Sequence, residues 1–344
     1  MLMQIQESLT YDDVLLVPQY SDIESRSEID ISSYLDERIK LDIPIISSPM
    51  DTVTETAMAI TVSEQGGLGI IHRYNSIDEQ VILVNGAIQD PGCRWVGAAV
   101  GVTGDFEERA SALVEIGAEV ICVDVAHGHH MLVKKALRRL TSVLPSSTHI
   151  MAGNVATKMG YEALADWGAR SVRCNIGGGS ICSTRIQTGH GIPGLQTIFE
   201  CASAGLDIPI IADGGIKSSG DIAKALAAGA DFVMLGSLLA GTKESPGPIV
   251  GQDGAERKLY RGMASNAAQK DWRGRLTSAP EGVSSHIPYK GTAIMTLQNL
   301  SMGIRSGFSY TGARTISEFQ AKAKFVKQTG ASQIESSAHI LRDA

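Results

Sequence analysis

The sequence predicts an α/β protein whose core is a closed (β/α)8 barrel, and three observations indicate this fold class. Short apolar runs recur along the chain, amphipathic stretches alternate with them, and a glycine signature ends several of these stretches. Apolar runs without polar alternation are typical of parallel strands that helices cover on both faces. Eight such runs are enough to close a barrel. An open doubly wound sheet is the alternative, because the same alternation of strands and helices is compatible with it.

The eight apolar runs are the predicted strands, and helices are predicted between most of them. Gly117, Gly168 and Gly229 each stand between a predicted helix and the next strand, which predicts a glycine cap that ends the helix. Such turns lie at the face of a barrel that serves stability, so we assign them no catalytic role. The predicted strands lie at residues 43–47, 68–71, 96–100, 120–123, 149–151, 172–176, 208–212 and 232–235. The clearest predicted helices lie at residues 106–116, 131–144, 161–167 and 220–228.

A long excursion follows the eighth predicted strand. Residues 241–290, here called the flap, are rich in Gly, Ser, Pro and charged side chains and lack strong periodicity. Segments of this kind are typical of mobile lids or of disordered insertions. A last helical stretch is predicted at residues 316–324, followed by a polar tail. We therefore expect one catalytic barrel domain over residues 1–344 with the flap after its eighth strand.

Composition and charge exclude several function classes. A formal net charge of -7 argues against a nucleic-acid-binding surface. No window reaches the roughly 18 apolar residues of a membrane span, and no basic region followed by an apolar stretch begins the chain. The five cysteines are odd in number and lack paired metal-ligand spacing, which predicts a reducing, cytoplasmic environment.

Small and polar residues follow the predicted strands, at the end of a barrel where chemistry takes place. Gly214, Gly215, Gly236 and Ser237 come after the seventh and eighth strands. Loops at these positions commonly bind phosphate through backbone N–H groups, and Ser180 adds a hydroxyl. Ordinary turn glycines are the alternative for either pair taken alone.

A glycine-rich loop presents one cysteine after the predicted strand at 172–176. The loop at residues 177–185 reads GGGSICSTR, so Cys182 lies where a thiolate nucleophile would be presented. Thr184 and Arg185 are near enough in sequence to assist proton transfer or to lower the thiol pKa. A small buried thiol is the alternative reading of an isolated cysteine.

Carboxylates and histidines also occur at the predicted rim. Asp213 is placed to accept hydrogen bonds from a ribose diol, with helix capping as the alternative. Asp124 precedes His127, His129 and His130, which suggests a metal cluster only weakly because the spacing is not a recognised ligand pattern. We therefore interpret Asp124 as ligand-facing and the histidines as solvated.

Several motifs in a fixed order carry a resemblance that spans nearly the whole chain. They are LTYDDVLLVP at residues 9–18, SPMDTV at 48–53, GGGSICSTR at 177–185, ADGG at 212–215 and YRGM at 260–263. In these motifs the chain resembles the family of inosine monophosphate (IMP) dehydrogenases and guanosine monophosphate (GMP) reductases. The resemblance implies a TIM barrel that catalyses oxidation or reduction at C2 of a purine nucleotide monophosphate.

The resemblance also implies roles for individual residues. Cys182 would attack C2 while a nicotinamide cofactor, NADPH or NAD, gives or takes hydride at that carbon. Thr184 and Glu281 would form the pair that handles protons, and Asp124 and Asn154 would face the cofactor. The residues implied to hold the nucleotide are Ser48, Met50, Ser180, Asp213, Gly214, Gly215, Gly236, Ser237, Tyr260 and Met263.

Two further properties are implied by the resemblance alone. The dehydrogenase branch binds potassium through loop carbonyls, which correspond here to Gly177, Gly179 and Cys182, and a homotetramer is expected. Asn175 departs from the family pattern because a glycine is usual at that point. The geometry of the loop that follows Asn175 is therefore a point for the structure to test.

The two branches of the family differ in the flap and in inserted domains. Dehydrogenases are expected to carry a long flap whose Arg-Tyr pair activates water, but residues 270–275 read KDWRGR and no tyrosine lies between Tyr260 and Tyr289. Residues 71–76 lead almost directly to Trp95, which leaves no room for the paired regulatory CBS domains that most dehydrogenases insert there. Both features favour a reductase.

Other segments resemble the dehydrogenases more closely. They include residues 245–247, Arg261 and the tail at residues 330–336. We weigh the flap most heavily because it bears on chemistry, and we predict a GMP reductase that converts GMP and NADPH into IMP, ammonia and NADP. The alternative is an IMP dehydrogenase without CBS domains, in which Arg273 or Arg275 activates water to form xanthosine monophosphate (XMP) and NADH. A catalytically silent nucleotide-binding protein is the rival from another class.

Overall fold

Eight parallel strands close into a barrel in the computed structural model, which describes residues 5–252, 254–276 and 279–336. Barrel strands β4 to β11 are neighbours in chain order, and β11 pairs with β4 to complete the circle. The strands are β1 (Val14–Leu16), β2 (Ser33–Tyr34), β3 (Lys40–Leu41), β4 (Ile45–Ser47), β5 (Leu68–Ile71), β6 (Val96–Val100), β7 (Val120–Asp124), β8 (His149–Val155), β9 (Ser171–Cys174), β10 (Ile210–Asp213), β11 (Phe232–Leu235), β12 (Val250–Gln252), β13 (Ala255–Arg261), β14 (Ser284–Pro288) and β15 (Phe325–Lys327).

Helices connect the barrel strands and cover the outside of the barrel. They are α1 (Thr56–Glu64), α2 (Ile77–Ile88), α3 (Phe106–Glu115), α4 (Met131–Val143), α5 (Lys158–Trp167), α6 (Thr184–Thr188), α7 (Gly194–Ala202), α8 (Ser219–Ala227), α9 (Asn266–Arg273), α10 (Ala293–Ser309), α11 (Ile316–Lys322) and α12 (Gly330–Glu335). The connection from β5 to β6 contains the single helix α2. Within the described residues, no helix combines the length and apolar character that crossing a bilayer requires.

The prediction of a closed barrel is confirmed, and the alternative of an open sheet is wrong. All eight predicted strands form, with end points that shift by a few residues. Strand β9 ends at Cys174 rather than at residue 176, because Asn175 adopts a φ of 147° that an extended strand does not allow. The three predicted glycine caps have φ values of 107° at Gly117, 112° at Gly168 and 113° at Gly229.

The flap is more regular than the sequence predicts. Strands β12, β13 and β14 form an antiparallel sheet, and α9 lies between β13 and β14 in the chain. The alternative of a disordered insertion is therefore wrong. The reason is that the buried positions of β13 are held by Lys258 and Tyr260, so a charged residue at one of them hides the alternating apolar pattern of the strand. Residues 253, 277 and 278 of the flap lie outside the described residues.

A short hairpin fills the end of the barrel where the strands begin. Strands β2 and β3 pair with each other and bring Leu35, Ile39 and Leu41 into one apolar cluster with interior residues of the barrel. Buried His149 at the start of β8 lies 3.0 Å from an oxygen of Asp36 in the hairpin. This hairpin, here called the plug, leaves the opposite end of the barrel for the site.

The ends of the described chain meet beside the barrel. Strand β1 pairs antiparallel with β15, which follows α11 directly. The predicted helix at 316–324 is thus confirmed as α11, but it ends at Lys322.

Candidate functional site

The carboxyl ends of the barrel strands surround a cavity of about 420 Å³, and a smaller one of about 60 Å³ adjoins it. Each site residue implied by the resemblance lines one of these two cavities. Six residues line both: Ser48, Met50, Gly179, Asp213, Gly214 and Tyr260. The sequence-predicted residues are therefore brought together at one place.

Cys182 lies in the larger cavity with its thiol beside a hydroxyl. The sulfur of Cys182 is 3.1 Å from Oγ1 of Thr184 at the start of α6. Cys182 is half-buried, whereas Cys122, Cys174 and Cys201 are buried in the core. The alternative of a buried core thiol is therefore wrong for Cys182, and the arrangement suits a nucleophile with a nearby proton carrier.

Backbone pairing joins the loop at residues 177–185, here called the cysteine loop, to residues 281–283 of the flap, which directly precede β14. The amide of Ser183 donates to the carbonyl of Glu281 at 3.0 Å, and the amide of Val283 donates to the carbonyl of Ile181 at 3.0 Å. Cys182 and Gly282 face each other between these two bonds. This two-bond ladder places Glu281 beside the cavity that contains Cys182 and Thr184.

Two side chains brace the cysteine loop. Asn175 donates from Nδ2 to the carbonyl of Gly214 at 3.2 Å, so its amide links two loops of the rim despite the unusual φ. Arg185 donates to the carbonyls of Ile176 and Ile192, the latter at 2.6 Å. The guanidinium of Arg185 thus supports the backbone of the loop, and the expectation that it assists the Cys182 thiol is wrong.

The smaller cavity brings the two glycine pairs together. It is lined by Gly214, Gly215, Gly236, Ser237 and Ser180, among others. A Cβ at Gly214, whose φ is 87°, would lie 3.1 Å from the backbone nitrogen of Gly179. A side chain at Gly214 would crowd this approach of two backbones, and glycine-rich loops of this kind are where backbone N–H groups commonly bind phosphate.

Tyr260 of the flap reaches the wall between the two cavities. Its hydroxyl lies 3.5 Å from Oγ of Ser180. Burial raises the pKa of Tyr260, so the phenol stays protonated and able to donate a hydrogen bond.

A buried arginine lies under the larger cavity, between two carboxylates. Arg173 in β9 donates from Nη1 to Oδ1 of Asp124 at 2.5 Å and from Nη2 to Oδ2 of Asp213 at 2.8 Å. Asn154 donates to the same oxygen of Asp213 at 2.7 Å. The N-cap of α8 is Ser218, so the reading of Asp213 as a helix cap is wrong.

The charges around Asp124 keep it ionised. Burial works against the ionised form, but the positive charges of Arg173 and then Arg73 hold the pKa of Asp124 below its ordinary value. The backbone carbonyl of Asp124 also accepts from Arg73 at 3.2 Å. This side of the cavity therefore presents a carboxylate fixed between two guanidinium groups.

Comparison with known proteins identifies the family. A family model described as the IMP dehydrogenase / GMP reductase domain matches residues 8–339. The chain is 35% identical to an inosine-5'-monophosphate dehydrogenase of Nitrosopumilus maritimus, covering 98% of this chain and 99% of the relative. It is 33% identical to a GMP reductase of Leishmania major, covering 97% of each. The chain belongs to the IMP dehydrogenase / GMP reductase family.

A solved structure of the family shares the fold. It is a cysteine-to-alanine variant of GMP reductase from Trypanosoma brucei in complex with guanosine 5'-monophosphate, with a TM-score of 0.92 and 32% sequence identity. The match covers 97% of this chain and 98% of that one. The protein is therefore an oxidoreductase of this family, whose members use nicotinamide nucleotide cofactors, and relatives of both named activities are similar to it.

Contacts between the flap and the barrel place the family's YRGM motif over the cavity. Arg261 donates to Oδ2 of Asp51 at 2.9 Å from Nε and also pairs with Asp271 of α9. The Tyr74 and Trp272 rings stack with centroids 5.9 Å apart, which joins α9 to the loop after β5. These contacts hold α9 at the mouth of the cavity.

The histidines after β7 do not form a metal site. His130 accepts the amide of Leu132 at 3.1 Å and so caps the start of α4. His129 packs against the ring of Trp167. No group of three metal-binding side chains occurs in the part of the chain that the structure describes.

The potassium ligands that the family suggests fit as part of a donor set. The turn that contains Gly177, Gly179 and Cys182 is closed by a hydrogen bond of 3.1 Å from the Cys182 amide to the Gly179 carbonyl. A carbonyl oxygen has a second lone pair, and neutral carbonyl oxygens are the ligands that potassium takes in selective sites. These three residues would hold the ion together with further ligands.

Sequence reasoning missed three residues of the cavity wall as functional: Arg73, Tyr74 and Arg173. Arg173 interrupts an otherwise apolar run, and a charge in a buried strand requires a partner. That requirement was the available signal. Arg73 and Tyr74 directly follow a predicted strand, which places them at the rim of the barrel but gives them no particular role.

Proposed function

We propose that this protein is a GMP reductase, which converts GMP and NADPH into IMP, ammonia and NADP. The observation that carries the proposal is the arrangement of Cys182, Thr184 and Glu281 around one cavity. A thiol 3.1 Å from a hydroxyl, beside a carboxylate residue, suits covalent attack on an electron-poor carbon with proton transfer to a leaving group. The direction of the reaction rests on residues 270–275, where an Arg-Tyr pair is missing.

The proposed reaction has two steps at C2 of the base. The thiolate of Cys182 bonds to C2, and the amino group leaves as ammonia after Thr184 and Glu281 deliver a proton to its nitrogen. When bound, NADPH supplies the hydride that C2 then accepts. The C–S bond breaks as IMP forms, and its electron pair returns to Cys182 as the thiolate.

Other residues of the cavity bind and orient in this proposal. Asp213 holds the ribose of GMP through Oδ1, because Oδ2 already accepts from Arg173 and Asn154. The small cavity takes the phosphate, with Tyr260 and Ser180 as hydroxyl donors. Asp124 faces the cofactor. The remaining proposed contacts to the nucleotide are Ser48, Met50, Gly214, Gly215, Gly236, Ser237 and Met263.

An IMP dehydrogenase without CBS domains is the second candidate. Arg261, a dehydrogenase-like residue, pairs with Asp51 and Asp271 and so holds α9 over the cavity. Arg273, at the end of α9, directly follows Trp272, whose ring stacks on Tyr74 of the cavity wall. In this candidate, Arg273 or Arg275 activates the water that releases XMP from Cys182, while NAD takes the hydride.

The proposal extends to the surroundings of the enzyme. We place it in the cytoplasm, where its five free cysteines stay reduced. We propose one catalytic domain without inserted CBS domains, because α2 alone links β5 to β6. Assembly as a homotetramer and a potassium ion at Gly177, Gly179 and Cys182 belong to the same proposal.

One absorbance assay separates the candidates. Purified protein mixed with GMP and NADPH is expected to consume the reduced cofactor and release ammonia. Formation of NADH from IMP and NAD, with no reaction of GMP, would favour the dehydrogenase. Thermal stabilisation by GMP or IMP without turnover in either mixture would instead indicate a silent nucleotide-binding protein.

A further inference from the structure

Arg173 makes contacts on both sides of the larger cavity. Its side chain is 6% exposed and donates three hydrogen bonds to carboxylates. One goes to Oδ1 of Asp124 at 2.5 Å, and two go to Oδ2 of Asp213 at 2.8 and 3.2 Å. A guanidinium has the planar fork of donors that such a bridge requires, whereas an ammonium is a single point.

The bridge uses one oxygen of each carboxylate. Oδ2 of Asp213 accepts from Arg173 and Asn154, which leaves Oδ1 for a ligand. Oδ2 of Asp124 lies 3.7 Å from Nε of Arg73, beyond hydrogen-bond distance. Because both aspartates line the cavity, each presents its second oxygen while Arg173 fixes the first.

We propose that Arg173 is a positioning residue that holds Asp213 and Asp124 at one separation, and so sets the nucleotide ribose and the cofactor relative to each other across C2. This inference rests on the proposed function, which assigns Asp213 to the nucleotide and Asp124 to the cofactor. Loss of Arg173 then weakens both ligands, although the two aspartates touch different ones.

Arg73 provides a matched control. It lines the same cavity and contacts Asp124, but its hydrogen bonds and ion pairs in the described structure do not include Asp213. Calorimetric titration of GMP and of NADP, each alone, would compare wild-type protein with Arg173→Gln and Arg73→Gln. We expect Arg173→Gln to weaken both ligands about tenfold or more, the scale of a lost charged hydrogen bond. Arg73→Gln is expected to weaken NADP alone.

Arg173→Lys keeps the test informative if the glutamine variant does not fold. It retains the positive charge but cannot bridge two carboxylates, so GMP is still expected to bind about tenfold more weakly. The pH below which NADP binding weakens should be the same in Arg173→Lys as in the wild-type protein. In Arg173→Gln this pH should be higher, because Asp124 loses the cation that holds its pKa down. A purely structural role would not separate these variants.

The outcomes distinguish this inference from the proposed function. The positioning role would be overturned if GMP affinity were unchanged in Arg173→Lys and Arg173→Gln. It would also be overturned if Arg73→Gln lost as much GMP affinity as the Arg173 variants. Wild-type protein that binds neither GMP nor IMP would overturn the proposed function itself. Loss of both ligands only in the Arg173 variants would support the inference.

Discussion

At the scale of single residues, the thiol of Cys182 differs from the other cysteines in its access to a cavity. Cys182→Ala is expected to lower the turnover of GMP by a factor on the order of 10³ or more, because no other group can form the covalent bond. Binding of GMP should persist, since Asp213 and the small cavity remain. Steady-state assay and calorimetry on the same preparation measure both.

Cys93 offers a control for that substitution. It is also half-buried, but its sulfur lies near the carbonyl of Trp95, which precedes β6 at the far end of the barrel. Cys93→Ala should keep wild-type turnover. Substantial activity in Cys182→Ala would contradict covalent catalysis.

The site residues differ in how far the sequence could predict them. The position of Cys182 at the cavity was predictable, because three glycines after a buried strand place the cysteine on a loop at the rim. For Arg173 the sequence indicated only that a buried charge needs a partner, and it could not identify Asp124 and Asp213, which come from two other strands. Arg185 stands near Cys182 in sequence, yet its side chain turns back to carbonyls of its own loop. Proximity along the chain does not fix the direction of a side chain.

At the scale of elements, a buried lysine holds β13 to the first residues of the flap. Nζ of Lys258 in β13 donates to the carbonyls of Thr242 at 3.1 Å and Lys243 at 3.3 Å, and also to that of Ser245. Burial lowers the pKa of Lys258. These bonds tie β13 to the loop after β11, which carries Gly236 and so forms part of the small cavity.

Lys258→Met is expected to reduce the free energy of unfolding by about 2 kcal/mol, because buried carbonyls lose their donor. Urea denaturation followed by circular dichroism measures the change. Lys243→Met, at an exposed neighbouring position, should alter stability by less than about 0.5 kcal/mol. Equal effects of the two substitutions would show that the bonds of Lys258 contribute nothing.

The aromatic pair of Tyr74 and Trp272 at the cavity mouth links the flap to the barrel. Trp272→Ala removes the stack on Tyr74, which is worth about 0.5–1.5 kcal/mol for such pairs. We expect KM for the cofactor to rise about twofold to tenfold, because α9 is less firmly held against Tyr74, which lines the same cavity as Asp124. Steady-state kinetics at saturating GMP tests this. Trp272→Phe keeps a ring for stacking and should stay near wild type, and a similar rise in both variants would contradict the role of the stack.

The flap also shows what limits prediction at this scale. The ladder between Cys182 and Gly282 joins residues about a hundred positions apart, and neither segment contains a local sequence signal that predicts this pairing. The barrel helices, in contrast, follow from apolar spacing within each segment.

At the scale of the whole molecule, the two ends of the barrel differ in the residues that line them. The plug fills one end with Leu35, Ile39 and Leu41, while glycines and charges line the other. The eight-strand rhythm was predictable because each strand buries both faces. The plug was not, because its strands are two residues long and its apolar side chains are too few to form a pattern.

His149 joins the plug to the barrel as a neutral ring. Nδ1 lies 3.0 Å from Asp36 and Nε2 lies 2.8 Å from Oγ of Ser171, so the ring donates to the carboxylate and accepts from the hydroxyl. Burial lowers the pKa of His149. On acidification the unfolded chain takes up a proton near its ordinary pKa of about 6.5, before the folded protein does.

The free energy of unfolding should therefore fall as the pH is lowered from about 7 to about 5. In His149→Gln the protein should be less stable at pH 7, but its stability should depend less on pH over this window. Urea denaturation at several pH values measures the slope. His286→Gln, at an exposed position, should keep the wild-type slope, and the same slope in His149→Gln would contradict the assignment.

The two-bond ladder at Cys182 has a consequence for protein engineering. Because Ile181 and Ser183 anchor Glu281 and Val283 through the main chain, the register of this pairing does not depend on how many residues precede Glu281. We therefore expect Glu281 and Cys182 to keep their places when residues 274–279 are exchanged for a longer span from a homologue, with Pro280 retained because its carbonyl accepts from Oγ of Ser183. Chimeras at this span offer a way to interconvert ammonia-releasing and water-consuming enzymes on one scaffold.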